Sequence, residues 1–287
     1  MPELPEVETV RRSLQKHLIG LTINEVTIFL PKIVRHLAPE SFVQVLEGRQ
    51  FLELERRGKY LLAHLTDGWT LVVHLGMTGR LIYSAQGQNY FVDQMIPRHV
   101  HAVLSLDDGG LLIYHDLRQF GYLTVCRTGD FAVLKGLQNL GPEPLGEEFQ
   151  LEALQAALRG RKVRIKQLLL DQGLIAGIGN IYADEILFEA GLHPERTGAS
   201  LTPEESEGLY RAIRKVLQKG IELRGTSISD YVDGDGQPGE FQNYLQVYRR
   251  TGQECRCCSS IIQRVKVGGR SSHYCPQCQQ NCQDNVR

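Results

Sequence analysis

Between Pro5 and about Leu18, apolar residues recur every three or four positions, with Val7, Val10, Leu14 and Leu18 on one face. That spacing predicts a helix with a single buried stripe. Pro5 suits its first position, where no N–H partner is lost. From about residue 20 to residue 130 the pattern changes to that of strands. "GRQFLELERRGKYLLAHL" reads as two strands joined through Arg56, Arg57 and Gly58. "WTLVVHLGMTGRLIY" runs apolar and breaks at Gly76 and Gly79. "HAVLSLDDGGLLIYHDL" alternates on either side of Asp108-Gly109, a hairpin signal. Short strands at this spacing predict a sandwich or barrel.

The character changes at "NLGPEPLGEEF" (139–149), where prolines, glycines and acids mark a linker. "LEALQAALRG", "KVRIKQLLLDQ" and "GNIYADEILFEAG" then read as helices, the last closed by Gly191. Thr202-Pro203-Glu204-Glu205 starts a fourth, expected to run to about Arg224. Residues 225–243 are rich in Gly, Ser and Asp and read as a long, functional loop. The expected organisation is a strand-rich domain over 1–135, a linker over 136–148, a helical region over 149–243 and a cysteine-rich end over 244–287.

Composition bounds the classes. The length of 287 residues suggests two domains. No apolar run approaches the roughly 18 residues that span a membrane. The acidic first residues lack a signal-peptide core, so a cytosolic protein is expected. The formal net charge of −1 argues against a uniformly basic nucleic-acid binder. It leaves room for a basic face. "LRGRKVRIK" (158–166) has five cations and no acid, and Arg249, Arg250, Arg256, Arg264, Lys266 and Arg270 crowd the C-terminal segment. One such run is as often a solvated helix face as a binding surface; two favour a phosphate surface.

Seven cysteines are present. Cys255-x2-Cys258 and Cys275-x2-Cys278, sixteen residues apart, have the spacing of a four-thiolate zinc site. Four thiolates leave no open coordination position, so one structural zinc is expected. Cys257 and Cys282 lie close by without completing such a pair, and Cys126 reads as a small core residue. "IIQRVKVGGRSSHY" between the pairs suggests a hairpin with Gly268-Gly269 at its tip and Arg270 beside it. From spacing alone, Arg270 is either a phosphate clamp or a surface cation on a turn.

Six motifs, in order, carry a resemblance over essentially the whole chain: "PELPEVETVRR", "RRGKYL", "HLGMTG", "DLRQFG", "DQGLIAGIGNIYADEILF" and "VGGRSSHYCPQCQ". Together they resemble the bacterial formamidopyrimidine-DNA glycosylases. The resemblance implies an α+β fold in two domains. The first would be an N-terminal β-sandwich flanked by helices. The second would be a helical helix-two-turns-helix region with a zinc-bound β-hairpin, and DNA would lie between the two.

The implied activity is excision of oxidised purines, 8-oxoguanine and formamidopyrimidines, from double-stranded damaged DNA, followed by β,δ-elimination of the strand. Pro2 would be the nucleophile once Met1 is removed, because an α-amino group is far less basic than a lysine. Glu3 would be the general acid/base and Glu6 would orient the amine, while Glu8 reads as a complement to the helix dipole. Lys59 and Arg270 would grip phosphates and assist elimination; without the resemblance, Lys59 reads as a solvated charge. Met77, Arg118 and Phe120 would fill the gap left by a flipped nucleotide. On pattern alone Phe120 reads as a core residue. His99, Arg161, Lys162, Lys166 and Asn180 would contact DNA, Asn180 from a helix start. Leu117 stands where the family commonly has proline. The expected protein is a bacterial, cytoplasmic, nucleoid-associated monomer. Two alternatives are an endonuclease VIII-like glycosylase for oxidised pyrimidines and a non-catalytic zinc-finger DNA-binding protein.

Overall fold

A computed structural model describes residues 2–86, 98–228 and 230–280. Expectations that fall on Met1, on position 229 of the 225–243 loop and on Cys282 lie outside the described residues. The chain divides into two compact units. One runs to Gln138 and takes in Leu223–Gln242; the other comprises Asn139–Glu222 and Asn243 onward.

The first unit opens with helix α1, Leu4–Leu18. Val7, Val10, Leu14 and Leu18 are buried along one side, as the spacing predicts. Strands β1 (Ile23–Ile28), β2 (Phe51–Arg57), β3 (Tyr60–Leu65), β4 (Trp69–His74), β5 (Gly79–Ser84), β6 (Val100–Leu106), β7 (Leu111–Asp116) and β8 (Tyr122–Arg127) follow. They form two antiparallel four-stranded sheets, ordered β1-β6-β7-β5 and β2-β3-β4-β8. Val26, Leu81, Leu104 and Tyr114 of one sheet share a core with Leu54, Leu61, Val73 and Val125 of the other. This is the expected sandwich. The β2–β3 connection is Gly58-Lys59, with Arg56 and Arg57 paired in β2 rather than in the expected Arg56–Gly58 turn, and Gly58 takes φ +56°.

Among the described residues, an α-helix contradicts the strand reading of 20–130. Residues Pro39–Leu46 form a helix, α2, with Phe42 and Leu46 buried in the same core. Pro39 in its first turn and an apolar pair four apart are helix signals. The surrounding strand-rich sequence masked them.

The second unit is helical, with α4 (Leu151–Leu158), α5 (Ile165–Leu170), α6 (Asn180–Glu189) and α7 (Pro203–Glu222); a single turn, α3 (Lys135–Gln138), closes the first unit. Helix α5 is shorter than expected. Arg164 bridges to Thr197 in an extended conformation, and the Ile165 N–H donates to the Arg196 carbonyl, so the chain turns helical only from Ile165. Strands β9 (Gln263–Val267) and β10 (Arg270–Tyr274) pair around Gly268-Gly269, with φ of +55° and +81°. Two successive positive φ values make the tight hairpin turn that glycine adopts without strain.

Candidate catalytic and DNA-binding site

The start of α1 is built by two glutamates. Glu3 is the N-cap and forms a reciprocal capping box with Glu6, whose Oε2 accepts the Glu3 N–H at 2.8 Å. That N–H belongs to the peptide immediately after Pro2, so the Glu6 carboxylate fixes the peptide plane from which the Pro2 ring hangs. The other oxygen, Oε1, accepts the Thr226 N–H at 2.7 Å. Glu6 therefore ties the chain's first residues to the 225–243 segment read as a long, functional loop. Pro2, Glu3 and Glu6 are all buried.

The same segment is fastened further along α1. The Tyr231 hydroxyl donates to the Glu6 carbonyl at 3.2 Å, and the Gly234 N–H donates to Ser13 Oγ at 2.8 Å. Gly225 needs its missing side chain, since a Cβ there would lie 2.9 Å from the Glu6 carboxylate at φ +81°. Residues 223–242 thus group with the first unit, whereas the sequence reading grouped them with the helices that precede them.

Glu8 does more than complement the helix dipole. Its carboxylate meets Arg11 at 2.8 Å, Arg12 at 2.7 Å and Arg56 at 3.2 Å. Burial works against the charge, yet the guanidinium groups pull its carboxyl down to about 2. Arg56 also donates to the Gly58 carbonyl at 3.1 Å, which links α1 to the turn that presents Lys59. Beside Lys59 lies a residue the sequence reading passed over. The His74 ring stands between Tyr60, at 4.8 Å, and Tyr122, at 5.5 Å. Burial, and then the charges of Lys59 and Arg35, push its pKa down to about 4. A neutral His74 suits its contact with the Gly76 N–H, which donates to Nδ1 at 3.3 Å. The signal was its place at the head of "HLGMTG".

Met77, Arg118 and Phe120 are all exposed, Met77 by 37 % and Phe120 by 52 %. The core reading of Phe120 is therefore set aside. The Arg118 guanidinium lies 4.9 Å from the centre of the Phe120 ring. His99 is half-buried with φ +75°, and its carbonyl accepts the Asp116 N–H at 3.0 Å.

In the second unit Arg161, Lys162 and Arg270 are exposed. Lys166 is not, and this corrects the expectation of a DNA-contacting lysine. It is fully buried, with Nζ 2.6 Å from Asp184 and 2.7 Å from the Ser271 carbonyl. A buried ammonium held by a carboxylate has no hydration to exchange for a phosphate. The sequence run showed five cations but not that Asp184 claims one of them. Asn180 is the first residue of α6 rather than its cap, which is Gly179. Its Nδ2 donates to the Ser271 carbonyl at 3.1 Å, next to Arg270.

The four expected cysteines come together, with every sulfur within 4.8 Å of the others. Sulfur separations of 3.4 Å for Cys258–Cys275 and 3.9 Å for Cys255–Cys278 bracket the ~3.8 Å edge of a tetrahedron with Zn–S bonds of about 2.3 Å. The thiolates fit a structural zinc. Cys257 is exposed and Cys126 buried, and neither sulfur belongs to this group.

Residues 1–123 match the formamidopyrimidine-DNA glycosylase N-terminal domain family. Residues 140–232 match the formamidopyrimidine-DNA glycosylase H2TH domain, and 252–281 match the zinc finger found in FPG and IleRS. The formamidopyrimidine-DNA glycosylase of Heliobacterium modesticaldum is 53% identical over 97% of this chain and 100% of its own length. That of Desulforamulus reducens is 50% identical over 97% and 99%. Among solved structures, a variant Lactococcus lactis FPG bound to Fapy-dG-containing DNA is similar with a TM-score of 0.89 at 38% identity, covering 98% of this chain and all of that one. The Thermus thermophilus MutM (FPG) protein gives 0.85 at 44%, covering 97% and 98%. The chain belongs to the formamidopyrimidine-DNA glycosylase family.

Replacing Glu6 by Gln should separate its two tasks from the fold. A glutamine offers one acceptor oxygen where two N–H groups now converge, and its amide N–H₂ would face the other donor. Excision is expected to fall roughly tenfold to a hundredfold, the cost of one unsatisfied buried donor. Binding to a duplex that carries an abasic analogue should change less. Single-turnover rates beside binding curves check this; equal losses in both would contradict it.

Proposed function

We propose that this protein is a base-excision-repair glycosylase with AP lyase activity, acting on oxidised purines in double-stranded DNA. The observation that carries the reading is the Glu6 carboxylate, which joins the peptide after Pro2 to the Thr226 loop. In this reading Pro2, free at its nitrogen, attacks the sugar C1′ and expels the damaged base. A secondary amine gives an iminium with no nitrogen proton to lose, so the cation persists and draws electrons from the sugar through both eliminations. Glu3 moves the proton needed for ring opening, within reach because it follows the nucleophile in the chain. Lys59 and Arg270 bind the phosphates that leave. Met77, Arg118 and Phe120 occupy the space of the flipped nucleotide, with Arg118 on the orphaned partner base. His99, Arg161, Lys162 and Asn180 hold the backbone. Zinc supplies no chemistry to these steps; it holds the hairpin that carries Arg270. Among the described residues no helix is long and apolar enough to cross a membrane. The working form we propose is a cytoplasmic monomer at the bacterial chromosome.

The test is a duplex with 8-oxoguanine opposite cytosine, trapped with borohydride. A covalent adduct mapped to Pro2 is expected, with strand cleavage in its absence. Preference for thymine glycol would place the protein with the endonuclease VIII type. With Met1 removed, neither adduct nor cleavage would leave a DNA-binding protein without catalysis.

A further inference from the structure

Two loops carry the three exposed residues proposed to fill the gap in the duplex, and one buried carboxylate holds both. Asp116, the last residue of β7, is fully buried. Its Oδ1 accepts from the Thr78 hydroxyl at 2.6 Å and from the Arg118 N–H at 3.2 Å. Its Oδ2 accepts from the Gly121 N–H at 2.8 Å and from the Tyr114 hydroxyl at 3.4 Å. Thr78 follows Met77, and its Oγ1 also accepts the Arg118 N–H, at 2.9 Å. The loop from Leu75 to Gly79 and the loop from Leu117 to Gly121 are thereby joined at one point.

Their backbones also touch. A Cβ on Gly76 would fall 2.4 Å from the Gly121 nitrogen, and one on Gly121 would fall 2.1 Å from the Tyr114 oxygen. The Asp116 backbone is held from behind: its N–H donates to the His99 carbonyl, and its carbonyl lies 2.8 Å from His101 Nε2. Gln119, between Arg118 and Phe120, takes φ +58°, a conformation that costs a non-glycine residue energy and persists only when its surroundings impose it.

We propose that Asp116 is a positioning residue: it sets the spacing of Met77 from Arg118 and Phe120 before DNA arrives, so that all three enter the base stack together. The proposal rests on the role given to those three residues above. A wedge assembled in advance does not spend binding energy on ordering two loops while it unstacks a base pair. No side chain other than a carboxylate of this length meets three donors from two loops and a fourth, the Tyr114 hydroxyl, from β7 at this depth. An asparagine keeps the shape but offers one oxygen, and its N–H₂ would face donors where water does not reach.

The test compares two substrates and one binding signal. For Asp116→Asn, excision from a duplex with 8-oxoguanine should fall about tenfold to a hundredfold. Cleavage at a preformed abasic site in single-stranded DNA needs no wedge and should fall by no more than about threefold, since no stacked base is displaced there. In a duplex with a tetrahydrofuran abasic analogue opposite 2-aminopurine, the fluorescence rise that reports insertion beside the orphaned base should be blunted. Thr78→Val should shift the ratio of the two activities in the same direction, and Thr78→Ser should restore it. Thr78→Val decides the matter if Asp116→Asn does not fold. Equal losses on both substrates, or an unchanged ratio and fluorescence rise, overturn the proposal. A wild-type protein that cuts neither substrate would instead sink the glycosylase reading, and the fluorescence arm would still judge Asp116.

Discussion

A chain whose Pro2 nitrogen is acylated, by a retained Met1 or by any residue placed ahead of it, should form no borohydride adduct. Its excision rate is expected to drop on the order of 10⁴-fold or more, the scale seen when a covalent nucleophile is removed. The cause is electronic. In a peptide bond the proline nitrogen donates its lone pair to the carbonyl and has no proton to exchange. As a free terminus it is a secondary amine with its lone pair available, and terminal amines are far less basic than a lysine. The fold gives no reason for a parallel loss of stability. Helix α1 begins at Leu4, its proline in the first turn is Pro5, and the Glu3–Glu6 box that starts it does not use the Pro2 nitrogen. Melting temperature should therefore hold while catalysis disappears. Pro2→Gly, with Met1 removed, gives a contrast. It keeps a terminal amine but yields an iminium that can lose its nitrogen proton to become a neutral imine, a weaker electron sink, so an adduct should still form while elimination slows. Intact mass, trapping and melting curves on the three proteins check the set. Trapping by the acylated chain would mean that another amine is the nucleophile.

Features that reside in local spacing were legible in the sequence. The buried stripe of α1, the Gly268-Gly269 hairpin and the two cysteine pairs each follow from residues within a few positions of one another. What escaped depends on partners far along the chain. Lys166 looked like one more surface cation because the carboxylate that buries it, Asp184, is eighteen residues away on another helix. Glu8 looked like a dipole complement because Arg56 approaches it from a strand. The 223–242 segment follows α7 directly, and nothing in its composition says that Thr226, Tyr231 and Gly234 return to α1. Asp116 was visible only as a letter of "DLRQFG". Its importance comes from Thr78, thirty-eight residues earlier, whose hydroxyl reaches the same oxygen as the Arg118 N–H. Candidate chemistry was thus easier to find than the buried groups that hold it in place.

Removing the zinc should unfold the hairpin and abolish DNA cleavage without unfolding the first unit. A two-stranded hairpin is at best marginal on its own, and β9–β10 has five residue pairs. Its apolar support is small: Val247, Cys255, Ile262 and Cys275 are buried together, with Phe188 packed against them. Zinc binding in finger peptides contributes about 10–16 kcal/mol, far more than so few contacts supply. The loss should then spread along identifiable bonds. Asp184 accepts from Ser272 Oγ, from the His273 N–H and from the His273 ring; once β10 leaves, Lys166 remains as a partner. Glu185 is next to it, buried, with its pKa pushed up by desolvation and held back by the N–H groups of Gln246, Val247 and Tyr248. Freed of the finger, that loop no longer covers it. Amide exchange after chelation should therefore accelerate first at 263–274, then at 246–248 and the adjoining turns of α6, while α1 and both four-stranded sheets stay protected. Cys258→Ser should behave in the same way, and added zinc should reverse chelation but not the substitution. Tight DNA binding by metal-free protein with 263–274 still protected would show that packing and the Asp184 bonds suffice, and that the four thiolates contribute little to the placement of Arg270.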